Sequence, residues 1–176
     1  ELLPIEEIAR LAHAHDALCL VDGAQLVGWT PIDVRGLGAD LFAFAGHKAL
    51  QAPWGIGGLY VAPHVEMRSP QATCELPAAG AAAACSSMPG YCDGGSVDRA
   101  ALAGLVAALD WLDAPERSAR LERARRLIEP IELAIAEDPS AHLLGRPGVE
   151  HRLPIVAFRR DGQSTAELAA TFARAG

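Results

Sequence analysis

Lys48 is the only lysine in the chain; the other 14 of its 15 basic residues are arginine. The exception matters chemically. An ammonium can shed its proton and attack a carbonyl to form a Schiff base, whereas a guanidinium stays protonated at any accessible pH. Lys48 follows the apolar run Leu41-Phe42-Ala43-Phe44-Ala45 through Gly46-His47. Upstream, another apolar run ends in the carboxylate of Asp22, with the amide Gln25 three residues on. Such groups at the ends of apolar runs are costly in a core and useful in a site. Each also has a plainer reading. Asp at a strand end often closes the next turn, an imidazole can simply occupy a turn, and an Arg-rich chain can leave one Lys on its surface.

Together the four groups suit a cofactor carrying both a carbonyl and a basic ring nitrogen. Pyridoxal 5'-phosphate is such a molecule. Its aldehyde needs a lysine, and its ring nitrogen needs a carboxylate to stay protonated, so that the ring can withdraw electrons from a substrate carbanion. Gln25 can hydrogen-bond the ring oxygen, and His47 the phosphate or the Schiff base.

These residues need elements that bring them to one place. Pro4 to His15 has Ile5, Ile8, Leu11 and Ala12 at helical spacing, with Pro4 at the first turn and Glu6 and Glu7 behind it. Ala17–Val21, Asp40–Ala45 and Gly57–Ala62 read as buried strands, the last introduced by the glycines at 55, 57 and 58. That order predicts a mostly parallel α/β sheet, whose ligands gather at the carboxyl ends of the strands. Val97–Leu112 carries the periodicity of an amphipathic helix, Pro115 opens a longer helix towards Glu137, Pro154–Arg159 reads as a strand and Thr165–Arg174 as a helix. The break near Asp113–Pro115 divides the chain into residues 1–113 and residues 114–176.

Four segments in fixed order, Val21-Asp22-Gly23-Ala24-Gln25, Pro31-Ile32-Asp33-Val34, Gly46-His47-Lys48 and Gly55-Ile56-Gly57-Gly58-Leu59-Tyr60-Val61, resemble the class V aminotransferase superfamily, above all its cysteine desulfurase and selenocysteine lyase branch. Asp93-Gly94-Gly95-Ser96-Val97-Asp98 is similar to that family's Glu-x-Gly-Thr-x-Asn segment. The resemblance implies the fold type I (aspartate aminotransferase-like) large domain with a parallel-rich sheet, followed by the start of a small α+β domain. It implies a Schiff base on Lys48, with Asp22 on the pyridine nitrogen, Gln25 on the ring oxygen and His47 on the phosphate. Ser96 stands for a threonine that reaches the phosphate of the partner subunit, which implies a homodimer. The expected activity is a carbon–sulfur or carbon–selenium lyase acting on an amino acid. Transamination, epimerisation or a truncated non-catalytic remnant are the alternatives. One departure concerns the cofactor directly: Ala45 stands where the family has Ser or Thr, and losing that charge-assisted hydrogen bond costs about 1.5–3 kcal/mol.

A net charge of -7 argues against nucleic acid or an anionic membrane as a partner. No apolar stretch approaches the ~20 residues of a membrane span. Of the four cysteines, Cys19 sits in an apolar run and reads as a small core residue, while Cys74, Cys85 and Cys92 form no metal-binding spacing; a reducing, cytoplasmic setting is expected. His13 and His15, two apart on a helix, face different ways, so a metal site there is not expected. Trp29, Trp54 and Trp111 read as packing residues. The chain opens at Glu1 with no visible signal peptide, and both ends read as cut, so it is expected to be an internal piece of a longer protein.

Overall fold

The computed structural model describes residues 2–67, 98–113, 116–146, 148 and 152–175. Two compact units divide the chain, one of residues 4–113 and the other of residues 114–176 with residues 1–3.

In the first unit, helix α1 (Ile5–His13) carries Glu6 and Glu7 in its first turn and Arg10 and His13 in its last, each complementing the helix dipole. Its core-facing line differs from the expected stripe. Ala9 is buried at 1 % exposure with Ile5 and Ala12 packed nearby, whereas Ile8 and Leu11 are exposed. Ala9 faces Gly38, where an added Cβ would lie 3.4 Å from the Ala9 methyl.

Strand β1 (Leu20–Asp22) pairs in parallel with β2 (Leu41–Ala45), in register Leu20 to Leu41 and Asp22 to Ala43. Strand β3 (Gly57–Val61) adds to the other edge of β2 in antiparallel register, Ala45 opposite Gly57 and Leu41 opposite Val61. The sheet order is therefore β1-β2-β3, one parallel pair and one antiparallel pair among the described residues. The mostly parallel expectation holds only for β1 and β2. The cause is the short β2–β3 connection, which contains no crossover helix and can only turn the chain back. Cys19, Val21, Ala39 and Phe42 form the core with Ala9. β1 is less buried than expected: only Val21 points inwards, with Leu20 and Asp22 exposed.

Helix α2 (Arg99–Leu112) starts at a cap the sequence reading passed over. The Asp98 carboxylate accepts from the Ala100 and Ala101 amides, both at 3.0 Å, satisfying donors that have no helical partner. Ala101, Ala108 and Leu112 form its buried stripe.

The second unit holds helix α3 (Glu116–Glu137), strands β4 (Ala141–Leu143) and β5 (Phe158–Arg160) in antiparallel pairing, and helix α4 (Thr165–Ala175). β4 was not expected, and the strand predicted from Pro154 begins only at Phe158. Strand geometry exists there only where the two segments exchange hydrogen bonds, and Pro154 has no amide to offer. Ser164 and Glu167 cap α4 reciprocally: Glu167 Oε2 accepts from the Ser164 amide at 2.8 Å, and Ser164 Oγ accepts from the Glu167 amide at 3.3 Å. Arg152 is buried and paired with Glu132 at 3.2 Å.

Candidate functional site

Because β1 and β2 run in the same direction, their carboxyl ends coincide, and the loops that follow them emerge at one edge. After β1, the Gly23 amide donates to the Ala43 carbonyl (2.8 Å), and Leu26 and Val27 donate back to the Gly23 carbonyl (2.9 and 3.1 Å), forming a single helical turn. Asp22 Oδ1 accepts from the Ala24 amide at 2.9 Å and closes that turn. The turn-closing role and a cofactor role are compatible, because Oδ2 has no hydrogen-bond partner among the described residues. Gln25 is exposed on the same turn and its amide makes no hydrogen bond among those residues.

After β2, the chain is stapled into a loop. The Gly46 amide donates to the Ile56 carbonyl (2.8 Å), the Ala52 amide donates to the Gly46 carbonyl (2.9 Å), and the Gln51 amide donates to the Lys48 carbonyl (2.9 Å). Only glycine fits at 46, since a Cβ there would lie 2.8 Å from the Ile56 oxygen. The Lys48 side chain projects from this loop half-buried, its ammonium making no hydrogen bond or ion pair to any described residue. An unpaired half-buried ammonium is uncommon, and it leaves the nitrogen available to an outside group.

The two loops touch. Gly28, at φ +97°, approaches so closely that a Cβ would lie 2.3 Å from the backbone carbon of Ala49. Backbone contact ties the Asp22–Gln25 turn to the residue following Lys48. The structure thus places Asp22, Gln25, His47 and Lys48 at one edge of the sheet, on two loops packed directly together.

His47 is half-buried and its ring lies flat against Trp54, with centroids 4.3 Å apart and planes 12° apart. Trp54 was expected to be a packing residue; it is 81 % exposed, and its covered face is the one against His47. Ala45 is the last residue of β2, so no hydroxyl is available there. Ser96 and the segment from Asp93 to Val97, together with Cys74, Cys85 and Cys92, lie outside the described residues.

A second polar constellation escaped sequence reading. Asp40, 1 % exposed, stands immediately before β2, at the amino-terminal end of the sheet. Its Oδ2 accepts from the Cys19 amide (2.6 Å) and bonds His13 Nε2 (2.8 Å), and its Oδ1 bonds His64 Nε2 (2.8 Å). The Cys19 amide, followed by the two imidazoles, holds the carboxyl down from 3.8 to about 2 against the opposing effect of burial. The only signal in the sequence was a carboxylate opening a buried strand, which requires partners; the partners are 27 and 24 residues away. Among the described residues no cluster of three or more His, Cys, Asp or Glu side chains could hold a metal ion, and no helix is long and apolar enough to cross a membrane.

The donor set fits pyridoxal phosphate in four respects and falls short in one. An unpaired lysine, a carboxylate with a free oxygen, an unbonded amide and an imidazole share one edge, while the hydroxyl at position 45 is missing.

The family model "Aminotransferase class-V" matches residues 1–176. A cysteine desulfurase of Escherichia coli O127:H6 is 33 % identical over 163 residues, which make up 88 % of this chain and 38 % of that protein. The crystal structure of the cysteine desulfurase CsdA from Escherichia coli superposes with a TM-score of 0.75 at 25 % identity, over 98 % of this chain and 43 % of that one. A cysteine desulfurase from Thermococcus onnurineus NA1 has the same fold, with a TM-score of 0.70 at 21 % identity, over 97 % of this chain and 44 % of its own. The chain thus spans about two fifths of the length of the relatives it matches.

Proposed function

Since the chain belongs to the aminotransferase class-V family, matched over residues 1–176, we propose that the whole protein is a pyridoxal-phosphate-dependent enzyme of cysteine desulfurase type, a lyase that breaks the carbon–sulfur or carbon–selenium bond of an amino acid. One observation carries the reading. The unpaired Lys48 stands on a loop whose backbone packs, through Ala49 against Gly28, on the turn bearing Asp22 and Gln25.

When bound, pyridoxal phosphate supplies an electron sink for negative charge developing at the substrate Cα. Lys48 Nζ would be the attachment point for its aldehyde and the base placed to carry the substrate's Cα proton. Asp22 Oδ2, the oxygen not used by the Ala24 amide, would keep the proton on the pyridine nitrogen. Gln25 would donate to the ring oxygen, and His47 to the phosphate. A homodimer, with the segment around Ser96 reaching the partner's phosphate, belongs to the same proposal and is supported by the motif at 93–98.

Transamination or epimerisation on the same cradle is the second reading.

Borohydride reduction in the presence of pyridoxal phosphate, followed by peptide mass mapping, tests the cofactor site. The expected adduct lies on the Lys48 peptide and vanishes in Lys48→Ala. No adduct in a folded full-length protein rejects the reading. Release of alanine from cysteine, with the sulfur freed as sulfide when a dithiol reductant is supplied, then distinguishes the lyase from a transaminase or epimerase.

A further inference from the structure

Trp54 is the most exposed of the large apolar side chains among the described residues, at 81 %. Indoles usually seek burial, so one left in water on a short loop calls for a local cause. The loop itself is held firmly. Gln51 (φ 65°) and Gly55 (φ 82°) bracket Pro53-Trp54 with two left-handed residues, and Gln51 does so without glycine's freedom. The Gly46–Ile56 and Gly46–Ala52 hydrogen bonds close the loop's base. On the other side Pro53 packs against α2 at Gly104, where any added Cβ would lie 2.4 Å from its Cγ. Trp54 is therefore presented in one place, and there it meets the flat face of His47 at 4.3 Å and 12°.

The contact uses the face of the imidazole and leaves its edge free. Neither ring nitrogen of His47 has a hydrogen-bond partner among the described residues. An imidazole held by its face, with unengaged nitrogens on its edge and Lys48 next in the chain, is preorganised to hydrogen-bond a group arriving from outside. Preorganisation matters most where another ligand is missing, as the hydroxyl is at Ala45.

We propose that Trp54 is a positioning residue: by stacking on His47 it fixes the plane of that imidazole, so that a ring nitrogen is already aimed at the cofactor phosphate when the cofactor binds. This rests on the pyridoxal phosphate reading of the Lys48 site. Trp54 touches neither reacting atom and acts through His47 alone.

The test uses the full-length protein and three substitutions at Trp54, with pyridoxal phosphate affinity read by absorbance titration. Trp54→Ala removes the stack, Trp54→Leu keeps apolar bulk but no planar face, and Trp54→Phe keeps a planar face. Ala and Leu are expected to weaken binding about 2- to 10-fold, the span that the stacking energy of an aromatic pair converts to, and Phe to restore most of the loss. The His47 ring protons, observed by NMR without cofactor, report the stack directly: their upfield ring-current shift should disappear in Ala and Leu and persist in Phe. Circular dichroism separates loss of the fold from loss of the stack. If Leu binds as tightly as the parent residue, or if Ala abolishes the ring-current shift with no change in affinity, the positioning role is wrong. Failure of the underlying reading looks different: then the unsubstituted protein gives no borohydride adduct on Lys48.

Discussion

Asp40→Asn is expected to destabilise the protein by an amount that depends on pH. The Asp40 carboxyl is buried at 1 % exposure and is held near 2 rather than 3.8 by the Cys19 amide first, then by His13 and His64. That difference corresponds to about 2 kcal/mol at neutral pH. Both imidazoles are partly exposed, at 45 % and 66 %, so water screens their share and about 1–2 kcal/mol is the expected loss. Asn can keep an oxygen towards the Cys19 amide and turn its NH2 to His64, whose ring can accept in its other tautomer. It cannot supply the charge. The folded-state value lies below the unfolded one, so the contribution is fully present above about 4 and disappears as pH falls through about 2. Asp40→Ala additionally orphans the buried Cys19 amide, adding about 1–3 kcal/mol that persists at every pH. Urea denaturation curves from pH 7 down to pH 2.5 measure both gaps. An Asn deficit that is absent at pH 7, or that stays constant down to pH 2.5, refutes the argument.

Gly28→Ala combines a left-handed φ of 97° with a methyl 2.3 Å from the Ala49 backbone, so a loss of more than about 2 kcal/mol and displacement of the Lys48 loop are expected; thermal denaturation and borohydride labelling of Lys48 check the two parts. Ala45→Ser restores a hydroxyl at the end of β2 and should tighten pyridoxal phosphate binding at least about tenfold, read by equilibrium dialysis. Asp98→Ala removes the acceptor for two amides of α2 and should cost about 1 kcal/mol in urea denaturation, with no change in Lys48 labelling.

Much of the fold was legible because it is written in local patterns. The three strands of the first unit, its two helices and the late helix Thr165–Ala175 all follow from apolar runs and helical periodicity. What was misread depended on partners. The core line of α1 runs through Ile5, Ala9 and Ala12 rather than Ile8 and Leu11, because which side of the helix meets the sheet is set by the partners it packs on. β4 was invisible, since three residues of strand exist only through pairing with β5. Trp54 read as a packing residue by type, yet it stands exposed and packs against one imidazole alone among the described rings.

The sequence by itself determined which groups could do chemistry here: a sole lysine after a Gly-His turn, an Asp and a Gln three residues apart, and motifs that identify the family. These are matters of residue type and short spacing, and the chain states them directly. Tertiary structure alone decided that β3 turns back antiparallel on β2, and that Gly28 and Ala49 lock together the loops bearing Asp22 and Lys48. It alone joined His13, Asp40 and His64 into a clasp. The reason is physical: direction of pairing, backbone contact and long-range ion pairs arise only when segments distant in sequence meet, and no local pattern encodes which partner each will find.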